Sequence, residues 1–241
     1  MIRTVARFAC GTLVAVLAVG ASAAAGVSAT GANAKEVAQA GVLQLSDFPT
    51  GWEQSPRESS SDDELDARAA KITSCKPFLA FSKANKKNPR AKSPNFDLDQ
   101  AHVTNAVNVY PSVASASAAM RTFGNARLPE CLDKLFSAEF KAQLAKTPGV
   151  AKQLESVKVD IGRRDDVQIG DEVVVYEGTV NVGLKDGTDT TIGLAVIAVR
   201  VDNAIAGYSY AADSDISAAL QPAIVSSVSR LQDATTSAPT T

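Results

Sequence analysis

The second half of the chain alternates apolar and polar residues with the period of β-strands. Four segments show this pattern or a continuous apolar run, at 156–161, 174–184, 190–201 and 204–211. Asp186-Gly187 and Asp202-Asn203 are turn sequences that separate the last three segments. Because two-residue turns connect only antiparallel neighbours, this half of the chain predicts a four-stranded antiparallel meander.

The first half and the end of the chain instead show the spacing of amphipathic helices. Predicted helices begin at Ser61, where Glu64 completes a capping box, at Ser112, at Pro129 and at Asp213 or Ser214. Pro77 should kink the first helix or begin a second one, and Pro222 should kink the last. One further strand is predicted over Ala101–Tyr110. The pattern therefore predicts an α+β fold, with an antiparallel sheet of about five strands packed against amphipathic helices.

The N-terminal segment has the composition of an export signal. Arg3 and Arg7 precede an apolar run over 11–27, and Ala32-Asn33-Ala34 supplies a small-x-small cleavage sequence. Ala21-Ser22-Ala23 is a second acceptable cleavage point. An uncleaved membrane anchor is the alternative, but the run is rich in Gly and Ala and ends at a cleavage-like site. We therefore expect a cleaved signal peptide at 1–34.

The remaining chain is long enough for one domain, which we place at 35–232, followed by a disordered tail at 233–241. The tail is rich in Thr, Ser, Ala and Pro, and no second segment after the signal is apolar enough to span a membrane. The net charge of the whole chain is −2, and loss of the two signal arginines makes the domain more acidic. This charge argues against a nucleic-acid-binding protein.

The three cysteines predict one disulfide bond. Cys10 leaves with the signal, so Cys75 and Cys131 remain, and two cysteines in an exported chain most simply pair with each other. A cysteine nucleophile is the alternative. It would need a histidine base, and His102 is the only histidine. We expect a Cys75–Cys131 disulfide with Cα atoms within about 7 Å of each other.

Two features are candidates for contact with a ligand or an anionic surface. The segment 83–94 contains two prolines, no apolar periodicity and five cations, Lys83, Lys86, Lys87, Arg90 and Lys92. We predict a basic surface loop that could meet anionic envelope polymers or lipid headgroups, although such loops often serve only solubility. Trp52 is the only tryptophan. It would either fix its turn to the core or line a ligand pocket.

No catalytic or metal-binding motif stands out. His102 lies in a predicted strand, and no Gly-x-Ser-x-Gly sequence precedes a helix. The segment Asp186–Asp189 lacks the alternating oxygen ligands of a calcium loop and is better explained as a turn. The acidic pairs Asp165-Asp166 and Asp171-Glu172 are typical of a solvated hairpin end. We predict no catalytic residue, no metal and no cofactor.

The layout resembles the secreted sensor-like domain family of actinobacteria, represented by the extracellular sensor domain of the mycobacterial serine/threonine kinase PknH and related lipoproteins. The resemblance rests on Leu43-x-Leu45-x-Asp47-Phe48-Pro49-x-Gly51-Trp52, on the positions of the two cysteines, and on the C-terminal sheet with its closing helix. It implies an antiparallel sheet with helices around a cleft and an extracytoplasmic binding role. This chain has no kinase domain, no convincing lipobox and one disulfide where that family uses two.

Together these features favour an exported, non-enzymatic binding or sensor-like domain whose ligand is an unknown small molecule or cell-envelope component. The alternatives are an envelope-associated hydrolase with an unrecognised site and a structural or adhesive surface protein. A pocket with convergent polar groups would favour binding. A pocket that holds His102 beside a carboxylate and a hydroxyl would favour the hydrolase, and the absence of a pocket would favour the third class.

Overall fold

The computed structural model describes residues 31–57, 62–147, 149–213 and 217–237. Most of the predicted signal peptide, the predicted helix cap Ser61, the alternative cap Ser214 and the last residues of the predicted tail lie outside the described residues. Helix Gly31–Ala40 (α1) spans the predicted cleavage point after Ala34.

Within the described residues, eight strands form one antiparallel sheet. They are β1 Glu53–Ser55, β2 Arg90–Lys92, β3 Asn95–Leu98, β4 Ala101–Val109, β5 Leu154–Arg164, β6 Glu172–Leu184, β7 Asp189–Val201 and β8 Ala204–Ala212. The strand order is β1-β3-β4-β8-β7-β6-β5, and β2 pairs with β4. The predicted meander β5–β8 and the predicted strand at β4 are therefore confirmed. The estimate of about five strands was too low, because three strands of three or four residues are too short to show a period.

The other helices are α2 Asp62–Ala69, α3 Lys76–Asn85, α4 Val113–Phe123, α5 Leu128–Lys146 and α6 Ser217–Thr236. Pro77 lies in the first turn of α3, so it begins a second helix after the short 3₁₀ turn Thr73–Cys75. Pro222 lies inside α6, which continues four residues into the segment predicted as a tail.

The predicted basic loop at 83–94 is corrected by the structure. Lys83 lies in α3 and Arg90 to Lys92 form β2, so only the short connection between them is a loop. The strand forms because β4, which is distant in sequence from α3, offers a free hydrogen-bonding edge to residues 90–92.

The sheet separates two hydrophobic cores. On one face, helices α2 to α5 pack over β5–β8, with aromatic residues such as Phe81, Phe123 and Tyr176 between them. On the other face, α1 and α6 cover β4 and β8. All nine residues of β4 are buried, because the strand lies between the two layers of helices. The result is a three-layer arrangement in which each helix presents its polar side to solvent.

Candidate functional site

The disulfide bond joins the start of two helices that carry exposed cations. Cys75 precedes α3 and Cys131 lies in the first turns of α5, with their Cα atoms 4.7 Å apart. Both cysteines are completely buried. The predicted pairing is confirmed, and it fixes the N-terminal ends of α3 and α5 relative to each other.

Two shallow depressions lie on either side of the segment that contains Cys75. Each has a volume of about 530 Å³. Lys71, Ser74 and Lys134 line the first, Lys76 and Arg121 line the second, and Arg127 borders both. We call these two depressions together the cationic groove.

The charges of the cationic groove are strongly unbalanced. Its lining holds five exposed cations, Lys71, Lys76, Arg121, Arg127 and Lys134, and one carboxylate, Glu130. The Nζ atom of Lys134 lies 2.6 Å from Oε1 of Glu130. The hydrogen bond and the charge of Lys134 lower the pKa of Glu130, so this carboxylate is ionised at neutral pH. Within the described part of the chain, the other four cations have no carboxylate within 4.0 Å.

The backbone adds positive potential at the same place. The groove lies at the N-terminal ends of α3 and α5, where the unpaired N–H groups of a helix give a partial positive charge. Pro77 and Pro129 occupy the first turns, which proline's fixed φ favours. Ser74 is buried and lines the first depression, and its side chain helps to lower the pKa of Glu130. Side chains and backbone together favour a bound anion.

The five cations predicted as a basic surface are divided between different structures. Lys83 is exposed on α3, and Lys87 is exposed in the turn that follows. The Nζ atom of Lys86 lies 2.7 Å from Oδ2 of Asp66, so its charge is neutralised. Arg90 and Lys92 are half-buried in β2. Only Lys83 and Lys87 therefore present exposed positive charge without a carboxylate partner in the described structure.

The turn segment Leu43–Trp52, which supports the family resemblance, contributes Leu43, Phe48 and Trp52 to the core. Trp52 is only 6% exposed, and its ring centroid lies 4.6 Å from that of Phe48, which in turn packs on Phe96. Gly51 has a φ of +106°, a backbone conformation that glycine adopts readily. These contacts give Trp52 a packing role, and the structure places it among aromatic side chains, away from the cationic groove.

His102 has a carboxylate partner and a nearby hydroxyl, but not in the order of a hydrolase triad. Its Nδ1 atom lies 2.7 Å from Oδ1 of Asp97, which is its cross-strand neighbour on β3. The hydroxyl of Ser55 donates to the other oxygen of Asp97 at 2.7 Å. In a triad the histidine stands between the nucleophile and the acid. Here Nε2 of His102 is buried and has no partner among the described residues, so no nucleophile is placed on it.

The acidic clusters are explained by turns and ion pairs. Asp186 accepts a hydrogen bond from the Thr188 backbone at 2.9 Å, in the turn between β6 and β7. The acids at 165–166 and 171–172 form ion pairs with Arg163, Arg164 and Arg200. In the ranges that the structure describes, no group of three or more His, Cys, Asp or Glu side chains could hold a metal ion. Likewise, no described helix combines the length and the apolar composition needed to cross a bilayer.

Sequence reasoning missed the cationic groove, because its residues come from three separate segments. Lys71 and Lys76 flank the first cysteine, and Arg121 lies in the last turn of α4. Arg127 directly precedes α5, and Lys134 lies in its second turn. The only signal in the sequence is that cations surround both cysteines. A predicted disulfide brings such cations together, so this combination could have pointed to the groove.

Comparisons with known proteins give a distant structural resemblance. No protein-family model matches the chain. No curated protein matches it in sequence either. Among solved structures, the extracellular domain of PknH from Mycobacterium tuberculosis matches with a TM-score of 0.35 and 12% sequence identity, over 72% of this chain and 92% of that domain.

Proposed function

We propose that the protein is an exported, non-enzymatic binding domain whose cationic groove holds an anionic group of a cell-envelope component. The observation that supports this most directly is the set of four exposed cations in the groove with no carboxylate within 4.0 Å among the described residues. They lie close together in a chain whose net charge is −2. Like charges held near one another repel, and a bound anion relieves this repulsion.

The backbone that carries the groove is held rigidly, which favours binding. The buried disulfide and the first turns of α3 and α5 hold the backbone of Lys76 and Arg127 in place before a ligand arrives. Preorganised backbone reduces the conformational entropy that binding would otherwise cost. The cationic side chains remain exposed, so binding should weaken as the ionic strength rises.

Charge reversal in the groove is expected to weaken anion binding without unfolding the protein. In Lys76→Glu/Arg127→Glu, both new carboxylates lie at helix N-termini, where negative charge is favourable. We expect the affinity for inorganic tripolyphosphate, measured by isothermal titration calorimetry at low ionic strength, to fall about tenfold or more.

The matched control is Lys152→Glu/Lys158→Glu, which changes the net charge by the same amount. Lys152 and Lys158 are exposed before and within β5, and neither lines the groove. If both double variants weaken tripolyphosphate binding equally, general charge attraction explains the binding and the groove is not the site. If the wild type binds no tripolyphosphate, the proposed function is wrong.

The exported location gives a separate expected result. The mature protein should begin at or near Lys35 and should be found in the culture supernatant or the envelope fraction. The reason is the Ala32-Asn33-Ala34 sequence after a basic and apolar segment. N-terminal sequencing and intact mass of the protein from its native host check this. Retention of Met1 in the membrane fraction would instead show an uncleaved anchor.

A further inference from the structure

We infer that the ligand is a linear polyanion with repeating phosphate groups, which runs from the cationic groove along the exposed side of α3. This inference rests on the proposed function, because the groove provides one end of the path. It goes further by naming the chemical class of the ligand and a second set of contacts, Lys83 and Lys87.

Helix α3 presents its cations on one side. Phe78, Phe81 and Asn85 are buried, at the spacing of one helix face. Lys76, Ala80 and Lys83 are exposed on the opposite face. Lys76 belongs to the groove, so the exposed face of α3 begins inside the groove and leads away from it.

The spacing of these cations fits a chain of charges better than a single anion. Lys83 lies seven positions after Lys76, which corresponds to about 10 Å along the helix axis. Lys87 follows in the turn after the helix and is also exposed. A single phosphate would have to draw the side chains of Lys76 and Lys83 together across this distance. A polymer with a negative charge on every repeat can contact Lys76, Lys83 and Lys87 in succession.

The surface fits a polymer better than a lipid bilayer. Proteins that lie on membranes through a helix insert large apolar side chains beside their cations. The exposed large apolar residues among those described are Leu45, Val113 and Val225, and none of them lies on α3 or in the groove lining. Ala80, between Lys76 and Lys83, offers only a methyl group. The path is also concave where it enters the two depressions, whereas a bilayer surface is nearly flat.

The test compares short and long phosphate chains on the wild type, on Lys83→Glu/Lys87→Glu and on the control Lys152→Glu/Lys158→Glu. The probes are inorganic tripolyphosphate and long-chain polyphosphate, with affinity expressed per phosphate. We expect the wild type and the control to bind the long chain about tenfold more tightly than tripolyphosphate. Lys83→Glu/Lys87→Glu should lose this gain while it keeps the wild-type affinity for tripolyphosphate.

The outcomes separate this inference from the proposed function. If chain length gives no gain, or if Lys83→Glu/Lys87→Glu keeps the gain, the extended path is wrong while the groove remains a site. If the wild type binds neither probe, the proposed function fails and the inference fails with it. Vesicles of phosphatidylglycerol and phosphatidylcholine form the third arm. Tighter binding to vesicles than to polyphosphate would replace the polymer with a membrane surface.

Discussion

Replacement of both disulfide cysteines, as Cys75→Ala/Cys131→Ala, is expected to lower the free energy of unfolding by about 4 kcal/mol. The bond closes a long loop, with a sequence separation of 56, and so restricts the unfolded chain. Both cysteines are completely buried, so the alanines also leave small cavities. Urea unfolding at neutral pH measures the loss.

The same variant should weaken binding in the groove, because the disulfide positions the ends of α3 and α5. We expect the affinity of the variant for tripolyphosphate to fall in the absence of urea, under conditions where circular dichroism still shows a folded domain. The wild type treated with a reductant after mild unfolding provides a second sample with the same broken link. If the folded variant binds tripolyphosphate as tightly as the wild type, the disulfide contributes stability alone.

The local pattern of the chain was enough to predict the long elements of the fold. Strands β5–β8 are nine or more residues long and show either alternation or a continuous apolar run, and turn sequences separate the last three, so their order follows from neighbours along the chain. The disulfide was predictable for a simpler reason, since only Cys75 and Cys131 lie outside the predicted signal peptide.

The features that the sequence did not predict depend on distant partners. Strand β2 forms because its residues pair with β4, where Arg90 lies opposite Asn108 and Lys92 lies opposite Ala106. The cationic groove forms only after α4 and α5 pack beside the segment around Cys75. No spacing rule within one segment could have predicted these two arrangements.

A bidentate ion pair fastens the N-terminal segment to the last helix. The Nη1 and Nη2 atoms of Arg230 on α6 donate to the two carboxylate oxygens of Asp47 at 2.6 and 2.8 Å. Arg230 also donates to the carbonyl oxygens of Ala40 and Val42. The side chain of Asp47 is only 3% exposed. Burial opposes its ionisation, but hydrogen bonds from Arg230, the Gln44 backbone and Ser226 outweigh this effect and lower the pKa of Asp47.

Arg230→Met is therefore expected to lower the free energy of unfolding by about 3 kcal/mol at neutral pH, because it leaves a buried carboxylate without its cation. The double variant Asp47→Asn/Arg230→Met should lose less than the single one, since no charge remains buried. Lys134→Met is the matched control, because it breaks the exposed pair with Glu130 and should change stability little. Urea unfolding of the four proteins gives the comparison.

The stabilisation by this ion pair should also depend on pH in a definite direction. The pKa of Asp47 is lower in the folded than in the unfolded protein, so the pair stabilises fully above the unfolded value of about 3.9. This contribution is lost as the pH falls from there through the folded pKa, where Asp47 becomes protonated. The difference in unfolding free energy between wild type and Arg230→Met should therefore become smaller as the pH is lowered from neutrality to below the pKa of Asp47 in the unfolded protein. A difference that stays constant over this range would show that Arg230 acts through packing and its carbonyl contacts, and that its charge on Asp47 contributes nothing.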